Sequence, residues 1–290
     1  MIEYKMNSII LIVLYDKNIS DSLTLQTICN NTYAQYDIVI INNGPNKINL
    51  DDVLFKALDD GRRKINYIEY LDNRPLSVIY NDFLKEYNDS YDRFIIFDDD
   101  SIIPNSFFEE LDSEYTNDID LQLPIVLNKN NNEVCYPIIN GEIYNSKNML
   151  PSSYADDVFS IGSGLVIYKS LIKKMALIEL ELFDVRFAFY GVDFSLFRRI
   201  RILKSKNIIS NIKVTSFISH SLSKKERSLN EWRGLERGYD GVLSARFYSK
   251  SIAHCLFFIM KALLIEVKYL RLSNVFRILI VLYKGKHPKC

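Results

Sequence analysis

The first hundred residues alternate between short apolar runs and amphipathic segments. The apolar runs are nearly continuous, which is typical of strands that are buried on both faces. The segments between them carry apolar residues at helical spacing. This pattern predicts strands over residues 8–15, 36–46, 65–73 and 93–98, and helices over residues 20–31, 48–61 and 75–88. Because strands and helices alternate at the spacing of βαβ units, we expect an α/β fold with a doubly wound, mostly parallel sheet.

Three residues mark the expected ends of these helices. Ser20 is expected to cap the first helix, Gly61 to end the second and Pro75 to start the third.

The pattern changes after residue 104. Strand-like runs at residues 121–127 and 164–170 mix with loops, which predicts an α+β half built onto the same sheet. From about residue 241 the chain reads as helical, with Lys and Arg between apolar residues at mixed spacings of three and four. We therefore expect two halves, 1–103 and 104–240, followed by a C-terminal segment, 241–290, of basic amphipathic helices.

Charge is unevenly distributed along the chain, although the formal net charge is zero. Residues 1–200 hold 18 Lys and Arg against 31 Asp and Glu, a charge of −13, and residues 201–290 hold 18 against 5, a charge of +13. A basic C-terminal part suggests an anionic partner, such as nucleic acid, phospholipid head groups or a phosphorylated substrate. The alternative is that these charges lie on solvated helix faces.

The cysteines and the apolar runs exclude several classes of protein. Cys29, Cys135, Cys255 and Cys290 lie far apart without a C-x-x-C pair, which excludes a zinc ribbon and favours reduced thiols. The N-terminal apolar run is too short for a signal peptide and lacks a small-residue cleavage site. No run of about 20 apolar residues predicts a membrane span. We therefore expect a cytoplasmic protein.

The predicted strands end in polar residues. These ends are Tyr15-Asp16, Asn42-Asn43-Gly44, Asp72-Asn73-Arg74 and Asp98-Asp99-Asp100. Ligands of doubly wound sheets bind outside the carboxyl ends of the strands, so we expect all four ends to open into one crevice.

The acidic strand end is the main candidate for chemistry. Asp98 and Asp100 have D-x-D spacing, which allows both carboxylates to meet one divalent ion at the end of the strand. Oxygen ligands suit Mg²⁺ or Mn²⁺. The alternative is a solvated acidic turn.

Three further positions are candidates, each with a structural alternative. Asp193 follows an aromatic loop and Gly191, which suits either a general base or a helix N-cap. The glycines around Ser163 allow close approach of a ligand or form a tight turn. His220 is either a metal ligand or a structural residue. The basic residues Lys224, Lys225 and Arg227 after it suit phosphate.

Taken in order, several motifs resemble family-2 glycosyltransferases of the GT-A fold, in particular bacterial O-antigen and capsule enzymes. The resemblance covers about residues 8–225, and the motifs that carry it are IINNGPN, NRPLSVIYND, IIFDDDSIIP, IGSGLVIYKS, FYGVDFSLFRR and ISHSLS. The last of these is similar to a late segment of rhamnosyltransferase-like members. The resemblance implies a catalytic domain over 1–240, with a nucleotide-binding half over 1–103 and an acceptor half over 104–240.

The resemblance also implies roles for individual residues. Asp193 would deprotonate the acceptor hydroxyl, with inversion at the transferred hexosyl or deoxyhexosyl group. Asp100, Asp98 and His220 would hold the metal ion. The donor-binding residues would be Tyr15, Asn42, Asn43, Arg74, Asp98 and Asp99.

The sequence departs from the family pattern at three of these places. Asn42 replaces a carboxylate that commonly contacts the base of the nucleotide. Arg74 lies where the helix entry usually has a Gly, and it would reach the diphosphate instead. Val192 and Asp193 replace the usual Glu-Asp pair, which leaves one carboxylate.

The implied partners are a UDP- or dTDP-linked sugar as donor and a saccharide hydroxyl as acceptor, carried on a polyprenyl diphosphate. No nucleic acid partner is expected. Two alternatives stay open: a nucleotidyltransferase, and a non-catalytic protein that binds sugar or polyanion. In the C-terminal segment, Phe257, Phe258, Met260, Leu263 and Leu264 either face a bilayer, with Lys261, Lys268, Arg271 and Arg277 at lipid head groups, or pack on the catalytic domain.

Overall fold

The central sheet of the protein has the mixed, mostly parallel arrangement of an α/β fold. The computed structural model describes residues 6–31, 33, 36–59, 61, 63–151, 157–221 and 231–290. Within these residues the strands are β1 (Ser8–Leu14), β2 (Asp37–Asn42), β3 (Ile65–Glu69), β4 (Arg93–Asp98), β5 (Leu121–Asn128), β6 (Val134–Tyr136), β7 (Ile138–Ile139), β8 (Glu142–Ile143), β9 (Val158–Phe159), β10 (Leu165–Tyr168) and β11 (Ile212–His220).

The helices of the described residues lie between and after these strands. They are α1 (Leu23–Asn30), α2 (Val53–Leu58), α3 (Leu76–Tyr87), α4 (Phe107–Ser113), α5 (Lys169–Ala176), α6 (Val192–Ser205), α7 (Glu231–Tyr248), α8 (Ile252–Lys268) and α9 (Leu272–Lys284). A short 3₁₀ turn, Ile19–Asp21, precedes α1.

The large sheet has the strand order β11-β5-β10-β4-β1-β2-β3, and β6 pairs with β5 at one side. The first four strands of the chain are mutually parallel, as the alternation of strands and helices predicts. Strand β10 runs antiparallel between β4 and β5. A smaller sheet of β8, β7 and β9 lies beside the large one.

Both faces of the sheet are covered by apolar cores. Since successive side chains of a strand point to opposite faces, the residues of each strand are divided between the two cores. Ile9, Leu11 and Val13 of β1 belong to one apolar core, and Ile10 and Ile12 belong to the other. This burial explains the continuous apolar runs, which have no polar face.

Two predicted helix ends are wrong. Ser22, rather than Ser20, caps α1 by accepting a hydrogen bond from the Leu25 N–H, because the residues before it form the 3₁₀ turn. Helix α2 ends at Leu58, before Gly61, and starts only after the capping side chain of Asp52. Pro75 stands at the N-cap of α3, as expected.

The C-terminal helices pack on the same side of the sheet as Ile9 and Leu11. Leu235 and Val242 of α7 and Ile278 of α9 belong to that core. The helical part begins at Glu231, before the start predicted at about residue 241, so the predicted boundary after residue 240 falls inside α7. No helix among the described residues is long and apolar enough to cross a membrane.

Candidate active site

The acidic strand end and His220 form one cluster at the carboxyl end of the sheet. Asp98 is the last residue of β4, and His220 is the last residue of β11. The His220 Nε2 atom lies 3.1 Å from Asp98 Oδ2 and 3.0 Å from Asp100 Oδ1. One ligand atom from each of the three residues lies within 4.8 Å of the others. The three residues that were predicted to hold a metal ion therefore lie together.

The ionisable groups of this cluster shift one another's pKa values. Burial is the largest single influence and would lower the pKa of His220, but the hydrogen bonds to Asp100 and Asp98 and the charges of these two carboxylates together outweigh burial and raise the pKa to about 10. Burial is the largest single influence and acts to raise the pKa of Asp100, but the hydrogen bond and charge of His220, with smaller contributions from Lys17 and Ser221, together outweigh burial, so this pKa is lowered. The cluster therefore stabilises a positive charge between the two carboxylates, supplied by an imidazolium or by a metal ion.

Asp99 points away from this cluster, toward the loop after β1. Its Oδ1 lies 2.5 Å from Lys17 Nζ, and its Oδ2 lies 3.5 Å from the backbone nitrogen of Tyr15. Burial raises the pKa of Asp99, although Lys17 opposes this effect. The acidic triplet is thus divided between two positions: Asp98 and Asp100 beside His220, and Asp99 beside the first strand.

Asn42 is buried in the turn after β2 and holds that turn together. Its Nδ2 donates hydrogen bonds to the Asn46 carbonyl at 2.7 Å and to Glu69 Oε1 at 3.3 Å, and its Oδ1 accepts the Gly44 N–H at 3.0 Å. The side chain is 1% exposed. These contacts place Asn42 beneath the crevice surface, so it shapes the turn.

Asn43 joins that turn to the loop after β3. Its Oδ1 accepts the Arg74 N–H at 2.8 Å, and its Nδ2 donates to the Arg74 carbonyl at 3.0 Å. The Arg74 guanidinium lies 3.7 Å from the centre of the Tyr70 ring and remains partly exposed. Tyr15 is half exposed at the same end of the sheet. The four predicted strand ends therefore meet, as parallel strands require.

Asp193 lies in the first turn of α6 without capping it. Gly191 is the N-cap residue, with φ of 79°, so the N-cap interpretation of Asp193 is wrong. A β-carbon on Gly162 would lie 2.6 Å from Asp193 Oδ1, which shows how closely the glycine loop approaches this carboxylate. Burial and the charge of Asp98 raise the pKa of Asp193 to about 7, although the Gly162 N–H opposes them. A carboxyl group with this pKa is suited to accept a proton near neutral pH.

The loop before Asp193 is fixed by hydrogen bonds to α3 and to neighbouring side chains. The Leu76 N–H donates to the Ala188 carbonyl at 2.6 Å, and Asp184 accepts hydrogen bonds from Arg186 and Tyr248. Asp193 is therefore held at one place relative to the sheet.

Ser163 of the glycine loop supports the acidic strand end. Its Oγ accepts the Asp98 N–H at 3.1 Å and lies 2.6 Å from the Ser101 Oγ. The loop therefore contacts both Asp98, through Ser163, and Asp193, through Gly162. The small residues of this loop therefore allow it to pack between Asp98 and Asp193.

A cavity of about 700 Å³ joins these carboxylates to the C-terminal helices. Asp98, Asp193 and His220 line it, and so do Phe258 and Lys261 of α8. Tyr80, Phe189, Tyr190 and Arg237 also contribute to the wall. The C-terminal helices thus complete the site.

Asp240 of α7 is a second carboxylate in this cavity. It lies directly against Gly191, where a β-carbon would collide with it, and it accepts a hydrogen bond from the Ser244 Oγ at 2.8 Å. Its charge is one of the smaller influences that raise the pKa of Asp193. Sequence reasoning missed Asp240, because 47 residues separate it from Asp193 and no motif surrounds it. It missed Lys17 as well, although the position just after the first strand was a usable signal.

The basic residues Lys224, Lys225 and Arg227, which were predicted to suit phosphate, lie outside the described residues.

Comparison with known proteins identifies the fold through structure alone. No family model matches the sequence, and no curated protein matches it. A fragment of TarS from S. aureus, residues 1–349 in complex with UDP-GlcNAc, matches with a TM-score of 0.53 and 10% identity over 89% of this chain and 72% of the fragment. The chain spans only 43% of the longer TarS structure, with a TM-score of 0.52.

Two further solved structures match with comparable scores. The mannosyltransferase PcManGT from Pyrobaculum calidifontis, in complex with GDP-Man and Mn²⁺, matches with a TM-score of 0.52 and 13% identity over 98% of this chain and 74% of its own. GalNAc-T7 with UDP, GalNAc and Mn²⁺ matches with a TM-score of 0.50 and 11% identity over 90% of this chain and 55% of its own. The α/β fold of this chain, with its mostly parallel central sheet, is therefore the fold of GT-A glycosyltransferases.

Proposed function

We propose that this protein transfers a sugar from a nucleoside diphosphate sugar to an acceptor hydroxyl, with inversion of configuration. The observation that carries the proposal is the pairing of two chemical groups at one cavity: the Asp98–Asp100–His220 cluster, of which Asp98 and His220 line the cavity, and the separate carboxylate of Asp193, which also lines it. Such a reaction needs a cationic centre for the leaving diphosphate and a base for the incoming hydroxyl.

The cluster fits a divalent ion on the chemistry of its donors. Two carboxylate oxygens and one imidazole nitrogen converge, and the His220 side chain is buried while the two carboxylates remain partly exposed. An all-oxygen set suits Mg²⁺, and the imidazole makes this set softer, so we favour Mn²⁺ over Mg²⁺. When bound, the ion would neutralise charge on the leaving diphosphate.

The donor would lie across the carboxyl ends of β1, β2 and β4. Tyr15 offers an exposed ring for the base, and we assign Asn42 and Asn43 to shaping the turn beside it, on the strength of their hydrogen bonds. Arg74 is placed by Asn43, by the Tyr70 ring and by an ion pair of 3.6 Å between its Nε and Asp72 Oδ1, and its partly exposed guanidinium would meet a phosphate oxygen. Asp99 and Lys17 would hold the first loop in position.

Asp193 would act as the general base. In its ionised form it accepts the proton of the acceptor hydroxyl as the oxygen attacks the anomeric carbon, and the bond to the diphosphate breaks on the opposite side. One carboxylate is enough for this single displacement, since no covalent intermediate is required. The pKa near 7 keeps a useful fraction of Asp193 ionised at neutral pH.

The acceptor would enter through the part of the cavity formed by α7 and α8. Aromatic side chains there, including Tyr190 and Phe258, suit the faces of a saccharide, and Arg237 and Lys261 suit an anionic group near it. We extend the proposal to a lipid-linked saccharide acceptor in the synthesis of a bacterial surface polysaccharide, as the resemblance to O-antigen and capsule enzymes implies.

A thermal-shift screen of nucleotide sugars, with and without Mn²⁺, tests the proposal. We expect one donor to raise the melting temperature, and to do so only with the ion. A ligand present at about 100 times its Kd adds about 2.7 kcal/mol of stability, which is a shift of several degrees. Release of nucleoside diphosphate from that donor then measures turnover. If no nucleotide sugar changes the melting temperature or releases diphosphate, the proposal is wrong.

A further inference from the structure

The last two helices expose apolar side chains to an unusual degree. Of the 28 large apolar side chains that are exposed among the described residues, 15 lie within residues 252–283. A solvated surface helix normally presents one apolar stripe to the core and polar residues to water. Helices α8 and α9 each present an apolar stripe to the core and a second one to the outside.

The inner stripes account for the packing. Ile259, Ala262 and Leu263 of α8 pack against the core, and Ile278 and Val281 of α9 are buried in it. These contacts use only one side of each helix.

The outer stripes have helical spacing and no partner within the described part of the chain. Their residues recur at intervals of four, four and three in both helices: Leu256, Met260, Leu264 and Val267 in α8, and Leu272, Phe276, Ile280 and Tyr283 in α9. Each of these eight side chains is between 44% and 86% exposed. We call this set the outer apolar face.

Charge around the outer apolar face is almost entirely positive. Residues 249–290 contain eight Lys and Arg and one acidic residue, Glu266. Glu266 is 1% exposed and accepts a hydrogen bond from Asn274 at 2.9 Å, so it does not contribute negative charge to the surface. Lys261, Lys268, Arg277 and Lys284 are all exposed.

We propose that α8 and α9 dock the protein on an anionic phospholipid bilayer, with the outer apolar face in the interfacial region and the cations at lipid phosphates. The combination of apolar side chains with basic residues around them is the chemistry of interfacial helices. A second copy of this chain fits less well, because it would bring one cationic face against another. This inference is independent of the proposed sugar transfer.

The docking would have one consequence for the site, which does rest on the proposed function. Phe258, Lys261 and Ile265 of α8 line the cavity, while Leu256 and Leu264 belong to the outer apolar face. On the docked protein, α8 would be the single helix between the cavity and the bilayer. A lipid-linked acceptor would therefore reach the cavity without leaving the membrane surface.

Co-sedimentation of the full chain with vesicles tests the docking. We expect binding to vesicles of phosphatidylcholine mixed with phosphatidylglycerol, weaker binding to phosphatidylcholine alone, and loss of binding at high salt. Each exposed cation near an anionic surface contributes about a factor of five, so Arg277→Gln with Lys284→Gln should weaken binding about 30-fold. Phe276→Ser with Ile280→Ser should weaken it by at least about tenfold.

The matched control is Leu177→Ser, which replaces a side chain that is 73% exposed at the end of α5, outside the proposed face. It should bind like the wild type. Circular dichroism and melting temperature show that each variant is folded, and sedimentation velocity gives the oligomeric state. The docking is overturned if the wild type binds neither kind of vesicle or binds both equally. It is also overturned if the wild type is a dimer that does not bind vesicles and that the double substitution Phe276→Ser with Ile280→Ser dissociates.

Discussion

Gly162 lies directly against the carboxylate of Asp193: a β-carbon at position 162 would be 2.6 Å from Asp193 Oδ1. The φ angle of Gly162 is not in the left-handed region, so its backbone tolerates a side chain. A side chain at position 162 would therefore displace the Asp193 carboxylate and leave the backbone of residue 162 unstrained.

Gly162→Ala is expected to displace the Asp193 carboxylate while leaving the fold intact. We expect the transfer rate to fall by at least about tenfold, because small misplacements of a reacting group are costly. Steady-state kinetics measure this loss, and thermal melting is the control. A variant with full activity would show that the position of Asp193 is not critical.

Asp193→Asn should remove the general base and leave donor binding in place. Since general bases contribute about 10²–10⁴-fold, kcat should fall by that factor. The donor-induced thermal shift with Mn²⁺ should match that of the wild type. Turnover close to wild type would exclude Asp193 as the base.

The activity of the wild type should rise with pH through the titration of Asp193. The ionised carboxylate is the active form, and burial together with the charge of Asp98 raises its pKa to about 7. A bound cation would partly neutralise Asp98, so we expect the acid limb of kcat/KM to have a midpoint above the ordinary Asp value of about 3.9 and no higher than about 7. A rate that is independent of pH from 4 to 8 contradicts this.

Asp240→Asn should move that midpoint to lower pH, because Asp240 is one of the charges that raise the pKa of Asp193. Asp240→Glu keeps the charge and is the matched control, with a midpoint near that of the wild type. If the pH profiles of kcat/KM for Asp240→Asn and wild type are identical, Asp240 does not act on the pKa of Asp193.

The same titration predicts an effect on stability. The folded protein holds the Asp193 proton more tightly than the unfolded chain, whose Asp pKa is about 3.9. The free energy of unfolding therefore falls as pH rises from about 4 to about 7, and this loss is complete above 7. Asp193→Asn should accordingly raise the melting temperature at pH 8 and raise it much less at pH 5. An equal effect at both pH values would contradict the raised pKa.

His220→Ala should weaken Mn²⁺ binding by about 100-fold or more, because changes even outside the ligands of a metal cost about 10–100-fold. His254→Ala is the matched control, since His254 is an exposed imidazole of α8, remote in sequence from the cluster. Titration of Mn²⁺, followed by electron paramagnetic resonance, measures both variants. Equal binding by His220→Ala and wild type would exclude His220 as a ligand.

Much of the architecture was predictable because it depends on local patterns. The four parallel strands lie within the predicted runs, since strands buried on both faces must be continuously apolar. The helix ends were less predictable: Ser20 and Ser22 are both suitable caps, and the 3₁₀ turn decides between them. The meeting of the polar strand ends followed from parallel topology alone.

What the sequence by itself determined is therefore the set of elements, the parallel half of the sheet and the acidic residues at its edge. Tertiary structure decided which distant residues join them. His220, which the family resemblance had implied as a metal ligand, reaches Asp98 across 122 residues, and Asp240, which no motif indicated, enters the cavity from α7. The exposure of the outer apolar face also depends on tertiary structure, because the helical spacing of apolar residues does not predict which stripe the core will cover. Local spacing sets the conformation of a segment, whereas contacts between segments depend on how whole elements pack.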